Sequence, residues 1–262
     1  MSTSQAKPLI HLEGKVAIVT GGSRGIGESI ARAYARAGAS VVVASRKLEG
    51  VERVAAAIRE AGGQAHAVAF HAGELDAPRA LFAAAIERFG KVDVLVNNAA
   101  TNPHFGPMLT ADHGAWNKTF EVNLRGYFET SRQLAEHVIG RDAPGAIVNV
   151  ASIVALSGAP LQGIYAMTKA AVVSLTQTLA LELGPSRIRV NALAPGLVDT
   201  RFASALTQNA DIVARVVGRT PLGRFAQPDE MAGPALFLAS DAASFVTGHV
   251  LVADGGVMAS GM

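Results

Sequence analysis

The apolar run at 15–20 (KVAIVT) passes directly into Gly21-Gly22-Ser23-Arg24-Gly25-Ile26-Gly27, and a helical pattern follows through about Ala37. A short buried strand, a glycine turn and a helix start in immediate succession define the opening of a strand–helix crossover. The same succession builds an anion site, because free backbone N–H groups and the positive end of the helix dipole meet at the turn. The spacing is G-x-x-x-G-x-G through Gly21, Gly25 and Gly27. It is not the stricter G-x-G-x-x-G, since Ile30 stands where the third glycine would be. Gly22 through Ser29 also imitates a P-loop, but Glu28 occupies the lysine position. A carboxylate aimed at the β/γ-phosphates repels them, which excludes nucleotide hydrolysis and kinase chemistry.

Strand-like and helix-like segments alternate after this unit. The strands are expected at 15–20, 40–45, 64–69, 92–96, 145–151, 188–193 and 249–253, and the helices at 24–37, 48–61, 77–89, 111–139, 163–184 and 228–239. Strands that are apolar on both faces and separated by helices imply parallel βαβ units. Right-handed crossovers then give one α/β, doubly wound domain over 1–262: a parallel sheet of about seven strands, helices on both faces, and a ligand crevice at the strand C-terminal ends. A chain of 262 residues with 50% apolar content can fill such a core. Residues 1–11 read as a loose arm. The irregular stretch 200–227 holds a short helical pattern, then Pro221 and Gly223, and reads as a substrate lid.

Composition removes several function classes. Charge is nearly balanced, 23 basic residues against 21 acidic, with no Lys/Arg cluster and no aromatic stripe, so no nucleic-acid partner is expected. The absence of cysteine excludes disulfides, thiolate catalysis and zinc–thiolate sites, and no metal site is expected. Residues 143–168 carry no charge, and at that length a membrane span has to be weighed. Pro144, Asn149, Pro160 and Gln162 argue against a lipid-facing helix. The stretch reads instead as a buried strand, a loop and a helix start, so no membrane partner is expected. The arm lacks a continuous apolar region and Ser260-Gly261-Met262 lacks the basic middle residue of a peroxisomal address; a cytoplasmic protein is expected.

The chemistry is concentrated in that uncharged stretch. On a helix over 163–184, Tyr165 and Lys169 stand at i and i+4 on one face. An ammonium beside a phenol favours the phenolate and is expected to lower the tyrosine pKa. Ser152, at a strand end thirteen positions before Tyr165, can place its hydroxyl on the same substrate oxygen. Asn123 lies inside the expected helix 111–139, where asparagine is a poor helix former. Either a kink or a functional use of its side chain or backbone explains the position. Trp116 and Tyr127 fall at core spacing and read as packing. His104 and His113 read as solvated loop residues.

The order and spacing of Thr20-Gly21-x-x-x-Gly25-x-Gly27, Asn97-Asn98-Ala99-Ala100, Val122-Asn123-Leu124, Ser152, Tyr165-x-x-x-Lys169 and Pro195-Gly196 resemble the short-chain dehydrogenase/reductase family over residues 12–256. The resemblance implies a Rossmann domain with Tyr165 as acid/base, Lys169 as phenol tuner and ribose ligand, Ser152 as donor to the substrate oxygen, and Asn123 as holder of a relay water. It implies a cofactor held by Gly21, Ser23, Arg24, Gly25, Ile26 and Gly27, flanked by Asn98, Ala99 and Ala100. Pro195, Gly196, Val198 and Thr200 would lie at the nicotinamide, although Thr200 can also simply cap the next short helix. His71-Ala72 stands where many members carry an acidic and an aliphatic residue against adenine. That departure, together with Asn-Asn-Ala-Ala, Ser45-Arg46-Lys47 and Asn102-Pro103-x-Phe105-Gly106, resembles the branch of NADPH-dependent carbonyl and retinal reductases of the peroxisomal type. The family also implies a homotetramer, and the apolar helices 111–139 and 163–184 and the edge strand 249–253 invite a two-fold partner.

The second strand ends at Ser45, followed by Arg46 and Lys47, with no carboxylate to hold both ribose hydroxyls. A guanidinium binds a 2′-phosphate through paired donors, so NADP(H) is the expected cofactor, with NAD(H) possible. The expected activity is hydride transfer between NADP(H) and a small-molecule carbonyl or secondary-alcohol substrate. Sugar-alcohol or 3-oxoacyl oxidoreduction is the alternative within the family. A non-catalytic nucleotide-sensing regulator is the alternative of another class.

Overall fold

The computed structural model describes residues 10–260. The expected N-terminal arm, apart from Ile10 and His11, lies outside them, as do Gly261 and Met262. Seven strands form one parallel sheet in the order β3-β2-β1-β4-β5-β6-β7. They are β1 (Val16–Thr20), β2 (Ser40–Ser45), β3 (Gln64–Ala69), β4 (Val94–Asn97), β5 (Gly145–Val150), β6 (Ile188–Pro195) and β7 (Val250–Ala253). The helices are α1 (Gly25–Arg36), α2 (Leu48–Glu60), α3 (Ala77–Phe89), α4 (His113–Phe120), α5 (Gly126–Gly140), α6 (Gly163–Leu183), α7 (Ser204–Thr207), α8 (Ala210–Gly218) and α9 (Ala232–Ala239).

The period-two side-chain alternation of the strands divides the core between two faces. Ala17, Val19, Val41, Val43, Val94 and Val96 pack with Ile30, Tyr34, Val54 and Leu238 from α1, α2 and α9. Their neighbours Ile18, Val42, Ala44 and Leu95 pack on the other face with Leu81, Phe82, Leu134 and Val138 from α3 and α5. This two-sided burial is why β1, β2, β4, β5 and β6 read as near-continuous apolar runs, while the edge strand β3 is only half-buried. The chain changes direction across the sheet between β1 and β4, which pair in parallel with Ala17 opposite Val94. A ligand crevice in such a fold lies outside the strand C-terminal ends at that switch point.

Two expectations are corrected here. The stretch read as one helix over 111–139 is α4, a π turn over Glu121–Arg125, and α5. Trp116 is exposed and stacks on Phe120 with ring centroids 5.0 Å apart, so it is not a core residue. The stretch 200–227 carries two short helices, α7 and α8, rather than one. Its base is closed by main-chain bonds from Asp199 N–H to the Ala226 carbonyl (2.8 Å) and from Ala226 N–H to the Leu197 carbonyl (2.9 Å). By length and composition, Gly163–Ser186 is apolar enough to cross a membrane. Its buried residues Ile164, Thr168, Val172, Thr176 and Ala180 follow one helical stripe, the pattern of a core helix.

Candidate active site

The glycine turn sits where β1 meets α1. Gly21 and Gly25 have φ of +67° and +56°, a region that disfavours any side chain. Gly27 is required by contact: a Cβ there would fall 2.4 Å from the Gly21 carbonyl oxygen and 2.5 Å from Asn98 Nδ2. Asn98 braces the turn by donating from Nδ2 to the carbonyls of Thr20 (3.0 Å) and Gly21 (3.2 Å). The N–H groups of Asn98 and Ala99 both donate to Thr20 Oγ1. The Asn98 side chain is thus committed to shaping the turn.

A dinucleotide fits these residues. Arg24, at the N-cap of α1, has extended backbone and makes no side-chain cap. The first-turn N–H groups of a twelve-residue helix therefore remain available to an anion. At the end of β2, Ser45 Oγ lies 3.1 Å from Ser23 Oγ. Arg24, Arg46 and Lys47 are exposed and form no ion pair among the described residues. Glu28 does not face them uncompensated. It pairs with Arg32 (2.8 Å) and Arg53 (2.7 Å), tying α1 to α2. Burial pushes the Glu28 carboxyl up, but the Arg53 and Arg32 hydrogen bonds outweigh it and hold the group below its ordinary value. Arg53 also donates to the Ser23 carbonyl at 2.8 Å, a brace on the glycine turn that no motif announced.

In the loop after β3, His71 Nδ1 accepts from Gly73 N–H (3.1 Å), and its Nε2 lies 3.2 Å from Lys118 Nζ. The ring is therefore fixed by its own loop and by α4, with Ala72 beside it. A Cβ on Gly126 would fall 2.3 Å from the Ala72 carbonyl oxygen, so α5 starts directly against this loop.

Ser152 follows β5 and caps a short 3-10 turn, accepting from Val154 N–H at 3.4 Å. Tyr165 and Lys169 lie on one face of α6, both buried, with Lys169 Nζ 5.6 Å from the Tyr165 ring centroid. Lys169 Nζ donates to the Val150 carbonyl (2.6 Å) and to Tyr127 Oη (3.3 Å), and Tyr127 Oη–H donates to the same carbonyl (3.2 Å). Tyr127, read from the sequence as packing, is thus a direct neighbour of the buried ammonium.

The expected lowering of the tyrosine pKa by Lys169 is corrected. Burial pushes the Tyr165 phenol above its ordinary value, and burial pulls Lys169 down to about 7. In this arrangement desolvation decides both directions, and the Tyr165 phenol is protonated at neutral pH.

Asn123 lies in the π turn, a distortion frequent at functional sites. Its Oδ1 accepts from Thr101 N–H (2.8 Å), and its Nδ2 donates to the Thr101 carbonyl (2.9 Å) and to Thr168 Oγ1 (3.1 Å). The side chain clips the loop after β4 to α6 and is fully used in doing so, which leaves only its backbone for a water. Beneath it, Asn97 donates to Asn149 Oδ1 (2.9 Å) and accepts from Thr130 Oγ1 (2.6 Å). Asn149 in turn donates to Thr176 Oγ1 (2.9 Å). This buried chain locks β4, β5, α5 and α6 together, and sequence reasoning missed it because buried polar residues carry no periodic signal.

Pro195 ends β6, and Gly196 packs against Asp254, where a Cβ would meet Asp254 Cα at 2.8 Å. Val198 bridges to Ala226. Thr200 caps the next turn through Ala203 N–H (3.2 Å), and its Cγ2 would be 3.2 Å from a Cβ on Gly25. It both caps and covers the glycine turn. A cavity of about 610 Å³ lined by Val217, Gly223, Arg224, Phe225, Gln227 and Glu230 includes none of these candidate residues.

Comparison with known proteins agrees with this geometry. A family model described as enoyl-(acyl carrier protein) reductase matches residues 21–258. L-rhamnose 1-dehydrogenase (NAD(P)(+)) of Azotobacter vinelandii is 43% identical, over 93% of this chain and 96% of that protein. Dehydrogenase/reductase SDR family member 4 of Oryctolagus cuniculus is 38% identical, over 94% of each. The crystal structure of gluconate 5-dehydrogenase from Burkholderia cenocepacia J2315, in complex with NADP and tartrate, superposes with a TM-score of 0.92 at 36% identity, over 96% of this chain and 98% of that one. Relatives that cover nearly the whole of both chains, on the sheet order and site described above, place the chain in the short-chain dehydrogenase/reductase family, as an NAD(P)-dependent oxidoreductase acting on CH–OH groups.

Proposed function

We propose that this protein is an NADP(H)-dependent oxidoreductase that interconverts a secondary alcohol, or a reactive aldehyde, with its carbonyl compound. The observation that carries the reading is the buried pair on α6, with Lys169 Nζ 5.6 Å from the ring of Tyr165. A bound nicotinamide supplies the hydride. In reduction, Tyr165 gives its phenolic proton to the developing alkoxide while the Ser152 hydroxyl donates to the same oxygen. Lys169 and Tyr127 stand behind Tyr165, and with a water at the Asn123 backbone they return the proton from solvent. The 200–227 segment acts as the substrate lid, hinged at the Val198–Ala226 bridge. L-rhamnose 1-dehydrogenase and dehydrogenase/reductase SDR family member 4 stand at similar identity, 43% and 38%, so identity alone does not choose between a sugar and another alcohol or carbonyl substrate. Turnover of NADPH with a panel of ketones and aldehydes tests the activity; no oxidation with any of them would refute it.

The cofactor corner supports NADP(H). Arg24, at the N-cap of α1, and Arg46 and Lys47, after β2, form no ion pair among the described residues, and no carboxylate stands at Ser45. Lys47 is the N-cap of α2, where a cation opposes the helix dipole unless an anion joins it. The expected result is a preference for NADP(H) over NAD(H) of at least ~1.4 kcal/mol, roughly tenfold in kcat/KM. Arg46→Ala should erase most of it and Ser45→Asp should reverse it. Equal use of both cofactors by the unaltered protein would show that these cations serve only as a solvated cap.

Assembly as a homotetramer and a cytoplasmic location accompany this reading. Leu181 on α6, Phe128 and Ile139 on α5, and Phe245 before the edge strand β7 are large apolar side chains left exposed on the isolated chain. Light scattering at micromolar concentration should give about four times 27.0 kDa. A 27.0 kDa species would exclude association through these faces.

A further inference from the structure

We infer that the substrate carries its carbonyl or secondary alcohol on a bulky hydrocarbon body, rather than on a polyhydroxylated chain; this rests on the oxidoreductase reading above. Three segments converge on the mouth beside Tyr165. Phe202, from the segment after β6, tilts against the Tyr165 ring with centroids 5.6 Å apart. The loop after β4 crosses to the start of α6, where Gly106 N–H donates to the Leu161 carbonyl at 3.0 Å. Met108 seats on Gly163 so closely that a Cβ there would fall 2.8 Å from Sδ.

The surface these segments offer is apolar. Phe105, Met108, Leu156, Leu161 and Phe202 are each 40–49% exposed. Scattered exposed apolar side chains mean little, but these five stand on the segments that meet at the start of α6, with Phe202 directly against the Tyr165 ring. Leu161 adopts φ of +68°, a strained value for a non-glycine residue, and the Gly106 bond holds it there. Residues 101–111 and 151–166 contain no Asp, Glu, Lys or Arg.

Two of the polar side chains there are already taken. His104 Nε2 lies 3.1 Å from the Pro107 carbonyl, and Asn123 is spent on Thr101 and Thr168. Against the five apolar side chains a sugar hydroxyl would lose water without a partner. A hydrocarbon body would instead cover the five side chains and leave one oxygen for Ser152 and Tyr165.

The test is kcat/KM with NADPH for butan-2-one and 2-decalone, and with NADP for L-rhamnose and gluconate. Decalone is expected to exceed butan-2-one at least ~10-fold, the scale of a few added methylenes in an apolar site, and to exceed both sugars by more. Phe105→Ser and Leu156→Ser, which do not touch Tyr165 or Lys169, should each narrow the decalone-to-butanone ratio at least ~5-fold through loss of apolar contact. Faster turnover of rhamnose or gluconate than of decalone would overturn this inference while leaving the oxidoreductase reading intact. An unchanged ratio in both variants would overturn it as well. Binding of NADPH with no turnover of any compound would overturn the oxidoreductase reading, and this inference with it.

Discussion

Tyr165→Phe is expected to reduce kcat at least ~10²-fold, the scale of general acid catalysis, while NADPH affinity stays within about twofold of the unaltered protein. The change removes one hydroxyl from a buried ring and leaves its packing against Phe202 in place. Because burial holds the Tyr165 phenol neutral, that hydroxyl is the proton donor at hand when the alkoxide forms. Ser152 remains to bind the oxygen, so some activity survives. Near-normal kcat in this variant would place the proton source elsewhere.

Lys169→Met should have opposite effects on activity and stability. The ammonium is buried with only the Val150 carbonyl and the Tyr127 hydroxyl to solvate it, and no carboxylate is among its partners. Its pKa in the folded protein falls to about 7 from an ordinary value of 10.5. The unfolded chain therefore binds the extra proton between about pH 7 and 10.5, and stability rises with pH through that window, at no more than about 1.4 kcal/mol per unit. Methionine preserves the length and removes the charge. The variant should lose most turnover and cofactor affinity, melt higher than the unaltered protein at pH 7, and lose this pH-dependent gain in stability. Denaturant unfolding at pH 7 and 9.5 checks the sign. Equal pH dependence in both proteins would mean that Lys169 is solvated in the folded state.

The sheet was legible because parallel strands buried on both faces read as short apolar runs bounded by polar or glycine residues. β2, β3 and α3 fall at 40–45, 64–69 and 77–89 as the pattern indicates. The break within 111–139 was not legible. A π turn inserts one residue into the helical repeat with no proline or glycine within it, and it rotates the face of α4 relative to α5. Trp116 therefore leaves the core phase that spacing assigned to it, while Tyr127, beyond the turn, stays in phase and reaches Lys169. Asn123 was legible as an anomaly, since asparagine is unfavourable in a helix, but its role as a clip between Thr101 and Thr168 depends on contacts distant in sequence. Glu28 was legible as the residue that spoils a P-loop. Its i+4 partner Arg32 can be read from spacing; Arg53, 25 positions away, cannot.

NADPH carrying deuterium at C4 of the nicotinamide, incubated with the protein and a ketone, tests the proposed oxidoreductase chemistry most directly. The expected product is the secondary alcohol with deuterium on its carbinol carbon, formed with loss of the NADPH absorbance by the unaltered protein and at least ~10²-fold more slowly by Tyr165→Phe. Tight NADPH binding with the cofactor left unoxidised across the ketone panel would contradict it, and would mark the chain as a nucleotide sensor built on a dehydrogenase fold.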